Sequence, residues 1–309
     1  MSVNLSVDLA GVRLRNPVIT ASGTFGFGKE YEGLVPLDRL GGITVKGVAP
    51  FPSHGNPTPR TAEVFAGMLN SIGLQGPGLQ KFISHPDYLP FLRQADTAVF
   101  VNIWGKTLAD YVEVAAGLEA EKTGIAGLEI NISCPNIKEG GIAFGTNLKM
   151  AGDVVRAVRE VTTLPLITKL SPNVTSVGDF ARAVVDAGSD MVSLINTMPA
   201  MSIDIETRRP RIATGFGGLS GHGIKPMAVR MVYDAAQAVS VPVIGMGGIF
   251  TAEDAIEFML AGASAIAVGT AIFADPRAPI RVIDGMTAYC ERHGIADINE
   301  IVGQVQMAR

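Results

Sequence analysis

VPVIGMGGIFTAEDAIEFMLAGASAIAVGT, residues 241–270, holds one complete strand–helix–strand unit. Val241–Met246 is a short apolar run that stops at Gly247-Gly248. Thr251 then supplies a hydroxyl cap, with Glu253 and Asp254 in the first turn where the positive end of a helix favours acids. Apolar residues continue at helical spacing to Leu260, and Gly262 ends the helix. Ala265–Gly269 is the next apolar run. Runs with no polar alternation are what strands buried on both faces look like.

The same unit recurs in both directions along the chain. Earlier runs are Pro17–Ser22, Gly42–Lys46, Ala98–Asn102, Gly127–Ile132, Leu164–Leu170 and Met191–Asn196, which makes eight with the two above. Helical spacing fills Leu108–Lys122, Ala151–Val161 and Ser176–Ala187, and Gly124 and Gly188 follow two of these. On Leu108–Lys122 the inward face is expected to carry Leu108, Tyr111, Val112, Ala115 and Leu118. Eight strand–helix repeats predict an α/β chain folded as a (β/α)8 TIM barrel, whose usual length is about 250 residues before insertions. An open doubly wound sheet is the alternative. LSVDLAGVRL, residues 5–14, alternates around Ala10-Gly11 and predicts an N-terminal β-hairpin closing the barrel floor. Two long gaps, 48–97 and 197–240, each follow the C-terminal end of a strand, so both insertions are expected on the C-terminal face, where barrel active sites lie. No linker or low-complexity tract splits residues 1–309, and a single domain is expected.

Composition excludes several classes. Of the 309 residues 47% are hydrophobic and 17% charged, which rules out intrinsic disorder. The net charge of −4 and the lack of a basic stretch argue against nucleic-acid or membrane-surface binding. No run reaches the roughly 18 apolar residues of a membrane span, and the N-terminus does not read as a signal peptide. Two cysteines, Cys134 and Cys290, can neither build a disulfide framework nor hold an iron–sulfur cluster. A reducing, cytoplasmic setting is the expectation. His54, His85, His222 and His293 have no metal-ligand spacing, and no metal is expected.

Polar residues terminate the apolar strands: Ser22, Lys46, Asn102, Asn131 with Cys134, Lys169, Asn196 with Thr197, Gly247-Gly248 and Gly269-Thr270. A ring of them at one barrel mouth is a candidate site, although any single one reads equally as a loop residue. The glycines after the seventh strand and Gly269-Thr270 after the eighth suit a phosphate, or simply tight turns. Lys46 and Lys169 end apolar strands and call for anions: a phosphorylated cofactor and a carboxylate substrate, or a structural ion pair. Asn70, Asn102, Asn131 and Asn196 each offer one acceptor and two donors, matching a ring of alternating amide N–H and C=O groups; Asn70 alone could be a turn former. Cys134 stands just past the fourth strand, before Pro135 and a glycine-rich stretch, Lys138–Gly145, expected to act as a lid. A tuned thiol can accept a proton. Cys290 reads as a small buried hydrophobe.

NSIGLQGPG (70–78), EINISCPNIKEGG (129–141), ITKLSPN (167–173), SLINT (193–197), GGLSGHGIKP (217–226), IGMGGI (244–249) and AVGTAIF (267–273) resemble the dihydroorotate dehydrogenases, in order over the whole chain. The resemblance implies oxidation of (S)-dihydroorotate to orotate with FMN, in de novo pyrimidine biosynthesis. It implies Cys134 as the catalytic base at C5. It implies a substrate site of Lys46, Asn70, Asn131, Asn196 and Thr197, with the backbone of Ser71, Ile72, Gly73 and Leu74 alongside. It implies an FMN site of Ser22, Lys46, Gly47, Asn102, Asn131, Lys169, Ile195, Gly221, Gly247, Gly248, Gly269 and Thr270. The motifs are most similar to class 1B, the NAD-dependent type. There the FMN chain forms a homodimer core within a heterotetramer, with a partner subunit carrying FAD and a [2Fe–2S] cluster. The fumarate-using class 1A, another FMN barrel acting on pyrimidines, and a non-catalytic phosphate-binding scaffold are the alternatives.

Overall fold

The computed structural model describes residues 3–133 and 142–307. Cys134, Pro135 and the first half of the stretch 138–145, residues 138–141, lie outside the described residues. Eight strands form a closed barrel: β1 Val18–Thr20, β2 Gly42–Val48, β3 Ala98–Ile103, β4 Gly127–Asn131, β5 Leu166–Lys169, β6 Met191–Leu194, β7 Val243–Met246 and β8 Ala265–Val268. Each pairs in parallel with its sequence neighbour, and β8 pairs with β1 through Ala267↔Ile19. That last ladder rules out the open sheet. Nearly every strand residue is buried, which is why these stretches read as apolar runs.

The helices packed outside are α1 Leu108–Ala120, α2 Leu148–Arg159, α3 Val177–Asp186, α4 Lys225–Ala238, α5 Ala252–Leu260 and α6 Ala278–His293. Their starts are chemically marked: Thr107 with Asp110 and Thr251 with Asp254 form reciprocal capping boxes, and Asn147 and Ser176 cap α2 and α3. Capped by Asn147, α2 starts at Leu148, three residues ahead of the expected Ala151. On α1, Val114 takes the buried place expected of Val112, and Leu108 is exposed, because the inward stripe runs Tyr111, Val114, Ala115, Leu118. The helical expectation fails between β1 and β2, where the described chain makes single 3-10 turns at Lys29–Tyr31 and Leu37–Arg39. Between β2 and β3 it makes two short helices, Leu79–Ser84 and Leu89–Leu92.

The N-terminal hairpin is present: Val7–Leu9 pairs with Val12–Leu14, turning through Ala10 and Gly11 at φ 53° and 88°. Two positive φ values in a two-residue turn match the twist of the strands they join. Val7, Leu9 and Leu14 enter the core.

The two insertions meet. Thr61–Val64 and Gly67–Asn70 from the first join Met198–Ala200 and Gly217–Ser220 from the second in one four-stranded antiparallel sheet. A small hairpin, Ile203–Asp204 with Arg209–Pro210, extends from it. Gly218 lets this sheet come down onto the end of β6. A Cβ there would fall 1.9 Å from Thr197 Oγ1, so no larger residue fits without displacing Thr197.

Candidate active site

A cavity of about 200 Å³ opens at the C-terminal ends of the strands. Of the residues singled out from the sequence, Ser22, Lys46, Gly47, Asn70, Ile72, Gly73, Leu74, Asn102, Asn131, Lys169, Ile195, Asn196, Thr197, Gly247, Gly248, Gly269 and Thr270 all line it. All eight strands reach it with such a residue, in the strand itself or in the loop that follows.

Two residues sit just behind the wall. Ser71 is fully buried, and its Oγ has no hydrogen-bond partner. Its N–H donates to Arg60 O at 2.8 Å, and its carbonyl accepts from Asn56 Nδ2 at 3.1 Å, which fixes the 70–74 stretch against the barrel mouth. Gly221 contacts Gly248 rather than the cavity. Gly248 has φ +79°, and a Cβ on it would lie 2.8 Å from Lys225 Cβ and 3.0 Å from Gly221 O, so the turn after β7 requires glycine.

The carboxamides are linked. Asn196 Nδ2 donates to Ser133 Oγ at 2.9 Å, and Asn196 Oδ1 accepts from Thr197 N at 2.8 Å. Ser133, wholly buried, also approaches Asn131 Oδ1 at 3.4 Å. Tyr111 OH donates to Asn131 O at 2.8 Å and so pins the end of β4 from α1. The chain is therefore anchored up to the residue before Cys134.

Lys169 is 6% exposed, and its ammonium donates to Ser22 Oγ at 3.2 Å. The anion that balances it is Glu129, at 4.0 Å and 2% exposed. The structural ion pair weighed from the sequence thus exists for Lys169, and it coexists with a place in the cavity wall. Sequence reasoning missed Glu129, although a carboxylate inside the otherwise apolar GLEIN was a visible signal. It also missed Thr24, Thr61, Met68, Ser220, Phe250 and Phe273 in the lining; these come from loops, from the antiparallel sheet or, for Phe273, from the short helix Ala271–Ala274, where no strand-end rule points to them.

Phe250 is held by a charged cluster. Asp254 accepts from the N–H groups of Phe250 and Thr251, both at 2.9 Å, and from Lys225 Nζ at 2.8 Å. His222 stacks on the Phe250 ring, with centroids 4.2 Å apart. Burial pushes the Asp254 carboxyl up, but the bond from Lys225 and those from the Phe250 and Thr251 amides outweigh it and bring the group down to about 2. Because the folded value lies below the ordinary 3.8, this carboxylate stabilises the fold above that pH and stops doing so as pH falls toward 2. Asp254→Asn is expected to cost about 2 kcal/mol at neutral pH, the worth of a charge-assisted hydrogen bond. In urea titrations the gap from wild type should close as pH falls from about 4 to about 2; a gap constant with pH would show that the charge contributes nothing.

The donor set of the cavity suits a flat heteroaromatic with polar edges and a phosphate tail. Its wall carries two ammonium groups and four asparagine carboxamides, with apolar Ile195, Met246, Ile249 and Ala267 among the lining residues. Among the described residues no group of His, Cys, Asp or Glu could hold a metal ion. Cys290 is fully buried in α6, where burial, and then the carboxylates of Glu300 and Asp297, push its thiol up. No described helix is long and apolar enough to cross a membrane.

Known proteins match the chain over nearly its whole length. The family model described as dihydroorotate dehydrogenase matches residues 4–289. The chain is 56% identical over 300 residues to the dihydroorotate dehydrogenase B (NAD(+)) catalytic subunit of Geotalea uraniireducens, covering 97% of both chains. It is 54% identical over 305 residues to the same subunit of Alkaliphilus oremlandii, covering 98% of this chain and 99% of that one. Among solved structures it superposes on a dihydroorotate dehydrogenase from Eimeria tenella, crystallised with ferulenol, at a TM-score of 0.81 and 25% identity, covering 97% of this chain and 88% of the other.

Proposed function

This chain belongs to the dihydroorotate dehydrogenase family, and on that premise we propose that it is the catalytic subunit of an NAD⁺-linked enzyme of the B type, oxidising (S)-dihydroorotate to orotate in pyrimidine synthesis. The observation that carries the reading is the shared lining of one cavity by Lys46, Asn70, Asn131, Asn196 and Thr197 together with Lys169, Gly247, Gly248, Gly269 and Thr270. The first group offers a carboxylate partner and a set of amide partners. The second offers a cation and close-approach backbone for a phosphorylated cofactor.

FMN fits this donor set. Ser22, Gly47, Asn102, Lys169 and Ile195 would hold its ring, and Gly247, Gly248, Gly269 and Thr270 its phosphate, with Gly221 backing Gly248 from behind the wall. Bound there, FMN would supply the two-electron acceptance that the side chains lack. The remaining work falls to the chain. Lys46 holds the substrate carboxylate, and the asparagines and Thr197 match the ring's N–H and C=O groups in register. Cys134 takes the C5 proton as thiolate. The asparagines connected through Ser133 keep the ring edge fixed relative to the segment that bears the thiol. Electrons then pass to a partner subunit carrying FAD and a [2Fe–2S] cluster, in a heterotetramer built on a homodimer of this chain, in the cytoplasm. Residues 1–309 act as one domain.

The test is spectroscopic. The purified chain should show flavin absorption, and dihydroorotate should bleach it under anaerobic conditions while dihydrouracil does not. A colourless protein that takes up no FMN would reduce it to a phosphate-binding scaffold; equal bleaching by both would make it a different pyrimidine enzyme.

Lys46→Ala should weaken orotate by about 10–100-fold, the value of a charge-assisted bond of about 1.5–3 kcal/mol. A neutral pyrimidine such as uracil should lose far less. Equal losses in a titration of both ligands would show that Lys46 serves only the cofactor.

A further inference from the structure

Among the described residues the buried charged side chains are Glu129, Lys169 and Asp254. Asp254 has its ion pair and its helix cap. Glu129 has no part in the reading above, yet it lies in mid-strand on β4 between Leu128 and Ile130, both fully buried. A carboxylate there is costly unless it is bonded and charge-balanced.

Its bonding is complete, and it comes from neutral donors. Oε2 accepts from Asn102 Nδ2 at 2.6 Å, and Oε1 accepts from Ser193 Oγ at 2.9 Å. The ammonium of Lys169 stands 4.0 Å from Oε2, near enough for attraction and too far for a direct hydrogen bond. Lys169 lines the cavity and Glu129 does not. The carboxylate is therefore behind the ammonium as seen from the cavity. It cancels charge while leaving the lysine's donors directed elsewhere, one of them to Ser22. The described cavity lining contains two lysines and no carboxylate, and Glu129 is the carboxylate that stands against Lys169.

We propose that Glu129 is a positioning residue that sets the electrostatics under the bound flavin: it holds Lys169 against the cavity wall and offsets its charge, keeping the flavin's midpoint potential lower than Lys169 alone would set it. The inference rests on the FMN reading. A cation beside the ring favours the electron-rich reduced flavin, and a carboxylate behind that cation opposes it.

Glu129→Gln tests this with little change of shape. The glutamine oxygen can accept from Asn102 and its amide can donate to the Ser193 hydroxyl, so both hydrogen bonds survive while the charge is lost. Midpoint potentials of bound FMN are read by dye-coupled reductive titration of the purified chain. The variant should favour reduced flavin about tenfold over wild type, an upward shift of about 30 mV for a two-electron couple. Ser193→Ala removes a hydrogen bond to the same carboxylate without changing charge, and should leave the potential in place. Adding Lys169→Gln to Glu129→Gln restores neutrality and should bring the potential back down. An unshifted potential in Glu129→Gln, or an equal shift in Ser193→Ala, would overturn the proposal. If Glu129→Gln fails to fold, the double variant decides: recovery of the fold supports charge compensation, and failure of both makes Glu129 a packing residue. Wild type is titrated first, so a chain that binds no FMN is recognised as a failure of the cofactor reading itself.

Discussion

Cys134→Ser is expected to bind FMN and orotate normally and to lose between about 10² and 10⁴-fold of its turnover at neutral pH, the usual cost of losing a general base. A thiol near its ordinary pKa of about 8.5 has an accessible thiolate at neutral pH; a serine hydroxyl has none without a strong neighbouring base. The described surroundings supply Ser133, Asn131 and Asn196, which are hydrogen-bonding groups and not bases. Stopped-flow reduction of the bound flavin by dihydroorotate isolates the step, because it precedes any electron transfer out of the chain. The loss should shrink as pH rises, since hydroxide or a partly ionised serine can then take the proton. Near-wild-type reduction at pH 7 would remove Cys134 from the mechanism.

The second large effect concerns the electron acceptor. The chain alone should be reduced by dihydroorotate yet form NADH at a small fraction of the rate it shows with an artificial dye. The sequence has no G-x-G-x-x-G joining a strand to a helix, so the usual dinucleotide-binding turn is missing. The residues proposed for substrate and for flavin already share the one cavity at the barrel mouth. On the proposed reading NAD⁺ is reduced elsewhere, through a second polypeptide docked on this surface. Residues 48–97 offer one candidate docking face, with Phe65 fully exposed, and the second insertion exposes Met201, Ile203, Ile205 and Phe216. Anaerobic assays with dihydroorotate and either NAD⁺ or a dye separate the cases. Robust NADH production by the single chain would sink the two-subunit reading, and rapid fumarate reduction would move the protein to the other soluble class.

Much of this was legible in the sequence, and the reason is physical. A strand buried on both faces must be apolar throughout, so a polar residue at its end stands out, and Ser22, Lys46, Asn131, Lys169 and Asn196 were found that way. The capping oxygen at Thr251 marked a helix start because it satisfies free N–H groups that nothing else reaches; those at Thr107 and Ser176 carry the same signal. Two kinds of feature escaped. Glu129 lies inside a strand rather than at its end, and its partners Asn102 and Ser193 are 27 and 64 residues away in sequence. The antiparallel sheet pairs Asn70 with Gly218 across 148 residues, and no local periodicity specifies such a pairing. Cys134 is proposed as the base from its motif and from the anchored strand end before it.

The position of that sheet has a consequence for engineering. Its two halves grow from β2 and β6, which stand four places apart in a ring of eight and so face each other across the barrel. The sheet is thus a bridge across the full diameter of the mouth, tied at both banks. A loop graft that replaces only one insertion would leave the other with an open hydrogen-bonding edge directly above the reacting groups. Specificity in this scaffold has to be redesigned as a pair of insertions, exchanged together, with Gly218 retained where the bridge rests on Thr197.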